Sequence, residues 1–589
     1  MGRNAQLDIA RGARVEFSLV PFRFIPILLA AFLFSPFAVE IGSAQCTSSG
    51  ASDVDVHTLY AQQKWEQLVS AAEQLPERTP EINFDLGMAF AHLQRWNESR
   101  VALLDGRRVC PRDKRFPTEL AGVAFQQKQY PEAAHWISTA LRLDPKDEYA
   151  NDFAGTVFLL LGNLDAALKY WNRIQKPSVD QLQFDPNLRV QRLLLERAFV
   201  FSPQATMHRD QLHETEERLN AMGVFPSYSI RLDAREGGKF DAQFHAIERN
   251  GFGNGWLQSV VSVFSGLPYE TVYPSYFNLG RSATNIDSLL RWDAQKRRAW
   301  ISLSGPWHYQ PRWRWTIAAD GRDENWAIRN PSGSGSTVLG SFKLKRELGN
   351  ATLTTIQSAN LQWAFGAELS HRTYTGVTTG SALNSALVSP GWEIKPLAEA
   401  RLRLLDLPEH RFKIDGFVSN EVGRLWSNPV RLIDKMQGGT TLRWQPQAEG
   451  DRYEFMQRVR GGGTAGTLPL DELWMVGVER DSYLWLRGHV GTHDGKKGNA
   501  PMADRYFLSN TDFYRSIWGN GLFSFKVGPL LDIARTSAPS PELAPRQWLF
   551  DAGAQLKITA LGTGVVLTYG RDLRNGTNAF YGSSLSTEH

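Results

Sequence analysis

One arginine and two aspartates pose the first chemical question. From Leu468 to Asp532 strand-like runs flank a long polar loop that begins Leu486-Arg487-Gly488-His489. Two acids, Asp512 and Asp532, follow on segments that read as strands. In water Arg487 would be a solvated loop residue and Asp532 an ordinary surface or lining charge. Inside a closed barrel a guanidinium must find a carboxylate, because burying an unpaired charge is costly. The planar fork of arginine suits two acids at once, which would hold a loop in place rather than make or break a bond.

Motifs for bond-making chemistry are missing from the sequence. There is no Gly-x-x-x-x-Gly-Lys, no His-Glu-x-x-His and no Gly-x-Ser-x-Gly. We therefore expect no enzyme and no cofactor. His208 and His213 are five apart and do not share a helix face, so they read as solvated histidines rather than metal ligands. Glu214, Glu216 and Glu217 read as a solvated acidic face. Cys46 and Cys110 are the two cysteines, too few for a disulfide framework or a metal cluster. In an oxidising compartment they can bridge; otherwise they stay as two thiols. Gln45 is too large for the cleavage site of a lipid anchor on Cys46.

Composition limits what can position these groups. The chain has 589 residues, of which 21% are charged, and the mean hydropathy is −0.33, which excludes a bundle of apolar membrane helices. Yet 19 Trp and 32 Phe suit strands with one fatty face. A net charge of +4 is too small for this length to argue for nucleic acid. At the start, Arg11, Arg14 and Arg23 precede the apolar run 24–37, and Gly42-Ser43-Ala44 supplies small residues for cleavage. Residues 1–44 are expected to be a secretory signal peptide.

Residues 45–180 show a helical repeat. Gly87, Gly122 and Gly155 recur near the middle of successive helices, and Cys110-Pro111 and Asp144-Pro145 end two repeats. The period near 34 resembles tetratricopeptide repeats, with about three copies expected and small residues at the helix contacts. Such a solenoid presents a concave face to a peptide or partner protein; a bare spacer is the plainer reading.

Residues 188–249 change period. Leu193–Phe201 reads as a strand, Thr206 as an N-cap, and 208–222 as a helix stopped by Gly223. Two strands follow, 228–232 and 240–248. The run Thr215-Glu216-Glu217-Arg218-Leu219-Asn220-Ala221-Met222-Gly223-Val224-Phe225 makes this β-helix-β-β unit resemble a polypeptide-transport-associated (POTRA) domain.

Residues 250–589 have period two. Leu290 and Trp292 flank Arg291; Trp313, Trp315 and Ile317 alternate with Arg312, Arg314 and Thr316. About 16 antiparallel strands fit the segment, as a barrel with lipid outside and a wet lumen. Residues 330–336 read as an outer loop. A soluble sandwich also alternates, but it would have to pack these tryptophans in its core.

The POTRA-like unit followed by this barrel resembles the superfamily of BamA, TamA and the two-partner-secretion transporters, over about 190–582. There a loop of pattern Val/Leu-Arg-Gly-aromatic/His enters the lumen, and its arginine pairs with wall carboxylates. The matching residues here are Leu486, Arg487, Gly488 and His489, with Asp532 and Asp512 as partners. His489 stands at the usually aromatic position, Ala534 at a glycine, and Asp512 at a glutamate. The resemblance implies a multidomain outer-membrane protein with its N-terminal domains in the periplasm. It would receive an unfolded polypeptide client and insert it or export it. Outer-membrane lipids are the expected surroundings, and a periplasmic or lipoprotein partner is expected on the repeats. The alternative is a passive export pore, for example for a polysaccharide, with the repeats as scaffold.

Overall fold

Four left-handed turn residues punctuate the N-terminal helices. In the computed structural model, which describes residues 51–584 apart from 237–238, 254–262, 265, 332–336, 380–384, 448–451, 520–522 and 561–562, Gln63, Gln94, Lys128 and Gly162 have φ of 57°, 59°, 60° and 68°. Each closes a helical hairpin: α1 (Ala51–Ala61) with α2 (Trp65–Glu73), α3 (Pro80–His92) with α4 (Trp96–Val109), α5 (Arg115–Gln126) with α6 (Tyr130–Leu143), and α7 (Glu148–Leu160) with α8 (Leu164–Trp171). Four hairpins stand where about three repeats were expected, because the first lacks the small-residue signature. The expected signal peptide and Cys46 lie outside the described residues, as do residues 332–336 of the expected outer loop.

Helix contacts depend on two of the three glycines read from the sequence. A Cβ on Gly87 would sit 2.7 Å from Leu103, and one on Gly155 would sit 2.3 Å from the Trp171 ring. Gly122 is not at such a contact: a Cβ there would meet only Glu119, at 3.9 Å. The residue at the 34-residue step from Gly87 is Ala121, which is fully buried.

A four-stranded sheet follows, in order β2-β1-β4-β3, from β1 (Ser178–Phe184), β2 (Ala205–Thr206), β3 (Ser227–Ala234) and β4 (Lys239–Ile247). β1 and β4 are parallel; β3 pairs antiparallel with β4 and is an edge strand among the described residues. The sheet therefore begins at Ser178, ahead of the expected boundary at 188. The expected strand 193–201 is instead helix α9 (Arg192–Ala198), since Leu193-Leu194-Leu195 runs into helix-forming Glu196-Arg197-Ala198 and Arg192 pairs with Glu196 one turn on at 2.9 Å. Helix α10 (Arg209–Met222) starts from His208, not Thr206, which is spent in β2. Gly223 ends it at φ 69°.

The remainder is a closed barrel. Among the described residues, fourteen strands of seven residues or more, from Thr284–Trp292 to Asn578–Ser584, close through the short strands Thr271–Val272 and Tyr276–Leu279. Its sidedness is inverted relative to a soluble protein: Leu290 and Trp292 are 47% and 49% exposed while Arg291 between them is 5% exposed. Trp307, Ile317, Phe365, Trp392, Leu432 and Ile517 likewise point outward. An apolar outer face around a charged interior is the surface that a bilayer solvates.

Candidate functional site: the lumen loop and its charge clamps

Residues between the strands Tyr453–Ala465 and Arg505–Gly519 fold back into the lumen instead of leaving the barrel. The loop makes its own two-stranded pairing, Trp474–Met475 with Met502–Ala503, and its Lys497 pairs with Trp326 on the wall. An apolar seat holds it: Leu486, Trp474, Val476 and Leu484 pack with Tyr506, Leu508, Ala534 and Leu549 of the wall. Ala534, expected as a substitute for glycine, serves here as part of that seat.

On one side of the lumen, acids of the loop meet cations of the wall. Loop Asp471 and Glu472 face the cations Arg346, Arg372, Lys395 and Lys435. Loop Asp481 meets Arg291 at 3.1 Å, Arg298 at 2.6 Å and Lys497 at 2.6 Å. At the opposite wall the signs exchange. Arg487, 4% exposed, donates from Nε to Asp532 at 3.0 and 2.9 Å and from Nη1 to Asp512. Its backbone N–H donates to the same Asp532 at 2.9 Å, and Asn510 supports Asp532 at 2.8 Å. Asp532 and Asp512 are 0% and 2% exposed, so water cannot replace the pairing.

Gly488 lets the backbone lie flat against the wall. Its N–H donates to Asp551, and a Cβ there would stand 2.4 Å from the backbone nitrogen of Asp572. Gly570 makes the matching space on the wall, where a Cβ would stand 2.1 Å from the Arg487 carbonyl oxygen. His489 is buried, with Nδ1 3.2 Å from Asp551 and Nε2 3.5 Å from Asp572. Asp551, Asp572, Asp471, Glu472 and Asp481 were not singled out from sequence. Each sits in an alternating strand or a polar loop, where an inward acid looks like any other.

Below the loop the lumen keeps a cavity of about 970 Å³, lined by Arg401, Arg403, Arg443, Arg458 and Arg460 among others. Helix α10 docks at this mouth, contrary to a solvated reading of its acids. Glu217 pairs with Arg403 at 3.0 Å and accepts from Gln362 at 2.6 Å; Glu214 pairs with Arg218. Burial pushes the Glu216 carboxyl above the usual carboxylate range. The last carbonyls of α10, Ala221 and Met222, accept from Arg314 and Asn285 of the barrel.

The N-terminal helical hairpins join the same junction. His213, expected in solvent, is 5% exposed and lies 2.8 Å from Asp165 of α8. Arg209 reaches both Asp165 and the barrel's Asp406, the latter at 3.0 Å. Asn163 caps α8 and donates to the Pro408 carbonyl at 2.8 Å, while Lys169 pairs with Glu409 at 2.6 Å. Burial opposes ionisation of Asp165, but hydrogen bonds from His213 and Arg209 prevail and lower its pKa to about 2. His208 stays at the exposed helix start. Cys110 is buried and disulfide-bonded.

No family model and no curated protein sequence matches the chain. Solved structures are similar to it. BamA from Haemophilus ducreyi lacking POTRA domains 1–3 shares 11% identity over 69% of this chain and 84% of that chain, with a TM-score of 0.41. CdiB from Escherichia coli shares 11% over 70% and 76%, with a TM-score of 0.45. CdiB from Acinetobacter baumannii shares 11% over 78% and 85%, with a TM-score of 0.40. These are distant likenesses.

Proposed function

We propose that this chain is an outer-membrane assembly or translocation factor that takes an unfolded polypeptide from the periplasm and inserts or exports it. One observation carries the reading: a lumen loop locked by buried ion pairs inside a lipid-facing barrel, with helix α10 of the four-stranded unit docked at its mouth. The free edge of β3 offers backbone groups to which an extended client can add as a strand, before any side chain is read. The helical hairpins are repeats of tetratricopeptide type, and the four-stranded unit is POTRA-like. Buried, oppositely charged anchors on two walls hold the loop firmly, yet each can exchange partners when a client strand enters. No residue in the account performs bond chemistry.

Photo-crosslinking from Arg231 on the β3 edge, in cells, tests this. The reading expects a polypeptide adduct whose export or insertion fails when that edge is blocked. No polypeptide adduct, together with loss of a surface polysaccharide on deleting the barrel, would favour the passive pore instead.

A further inference from the structure

Three aspartates form a row across the barrel wall. Asp532 faces Asp551, and Asp551 faces Asp572, as register partners on three neighbouring strands. All three are fully buried. Like charges directly opposite across strands repel, and buried carboxylates without a cation are costly. Arg487 neutralises the Asp532 end together with Asp512, which Arg458 also approaches at 3.9 Å.

The other end meets an imidazole instead of a guanidinium. Among the described residues no lysine or arginine side chain pairs with Asp551 or Asp572. Asp551 Oδ2 receives the Gly488 N–H and lies near His489 Nδ1; Asp572 Oδ1 receives the Arg574 N–H at 2.9 Å. Asp551 Oδ1 and Asp572 Oδ2 are buried and receive no hydrogen bond. One ligand atom from each of His489, Asp551 and Asp572 lies within 4.8 Å of the others.

We propose that His489, Asp551 and Asp572 bind a divalent cation of the zinc or manganese class. An imidazole with two carboxylates is a ligand set these ions accept, whereas calcium prefers oxygen alone. Metal–ligand bonds of about 2.0–2.2 Å require the three side chains to draw together slightly. The cation would supply the charge that the aspartate row lacks. It would also tie the loop to the strands Trp548–Ala560 and Thr563–Asp572, so that its loss loosens the loop beside the last strand. The site does not depend on what the barrel carries.

The test uses the full chain, free of any affinity tag, folded in detergent and stripped with a chelator. Zinc or manganese chloride is titrated by calorimetry into wild type, Asp572→Asn and His489→Gln, each checked for folded mobility on unheated gels. The proposal expects one saturable site per chain in wild type, weakened by more than roughly tenfold in either variant. It also expects a metal-dependent rise in melting temperature in wild type alone. No saturable binding by folded wild type overturns it, as does equal binding by wild type and whichever variant folds. A wild type that binds no metal but loses stability as pH rises through neutrality assigns the cluster to a protonated imidazole instead.

Discussion

Arg487 holds Asp532 twice, through its backbone N–H at 2.9 Å and through its guanidinium Nε at 2.9 and 3.0 Å. A single carboxylate thus fixes both where the loop backbone lies and where its charged side chain points. Removing Arg487 leaves Asp532 buried without its cation, and removing Asp532 leaves Arg487 with Asp512 alone. Arg487→Ala and Asp532→Asn are each expected to cost about 3–5 kcal/mol. Denaturant unfolding in detergent micelles measures this, and Arg487→Lys is expected to recover only part, because an ammonium cannot reproduce the fork.

Steric fit at the clamp can be tested without touching charge. Gly570→Ala places a methyl where the Arg487 carbonyl oxygen stands, 2.1 Å away. The loop must move, at an expected cost of about 1–3 kcal/mol. Gly122→Ala, whose Cβ would meet only Glu119 at 3.9 Å, is the control and should be neutral or slightly stabilising. Thermal unfolding of the two variants distinguishes them.

Lys169 and Glu409 connect the last helical hairpin to a barrel turn at 2.6 Å, with side chains 26% and 16% exposed. Lys169→Glu is expected to weaken this docking, and adding Glu409→Lys to restore it. The coupling should be of the order of 1 kcal/mol. Limited proteolysis across the junction reports the change.

Asp165 gives that junction a pH dependence. Its folded pKa of about 2 lies below the usual aspartate value, so its stabilisation is complete above the unfolded pKa. It is lost as pH falls from about 5 towards 2, when the carboxylate protonates and releases Arg209 and His213. The melting temperature of wild type should exceed that of Asp165→Asn at pH 6, and the gap should close on acidification. A constant gap would contradict the assignment.

Periodicity made the broad plan legible. Strict alternation around Arg291 and the 34-residue recurrence of small residues each reflect a geometric repeat that sequence carries directly. What stayed hidden depends on tertiary company. Leu193-Leu194-Leu195 suits a strand or a buried helix equally, and only its neighbours decide. His213 and Glu217 look like solvent-facing helix residues until α8 and the barrel mouth cover them. At the clamp, Arg487, Asp512 and Asp532 could be singled out because a short motif marks the loop. Asp551 and Asp572 could not, since strand register alone brings them face to face.

Hydrogen–deuterium exchange of residues 482–492 in wild type and Arg487→Ala tests the central claim most directly. The account predicts strong protection of Arg487 and Gly488 in wild type, because both N–H groups are buried on aspartates, and loss of that protection in the variant. Rapid exchange of these residues in the folded wild-type barrel would contradict it.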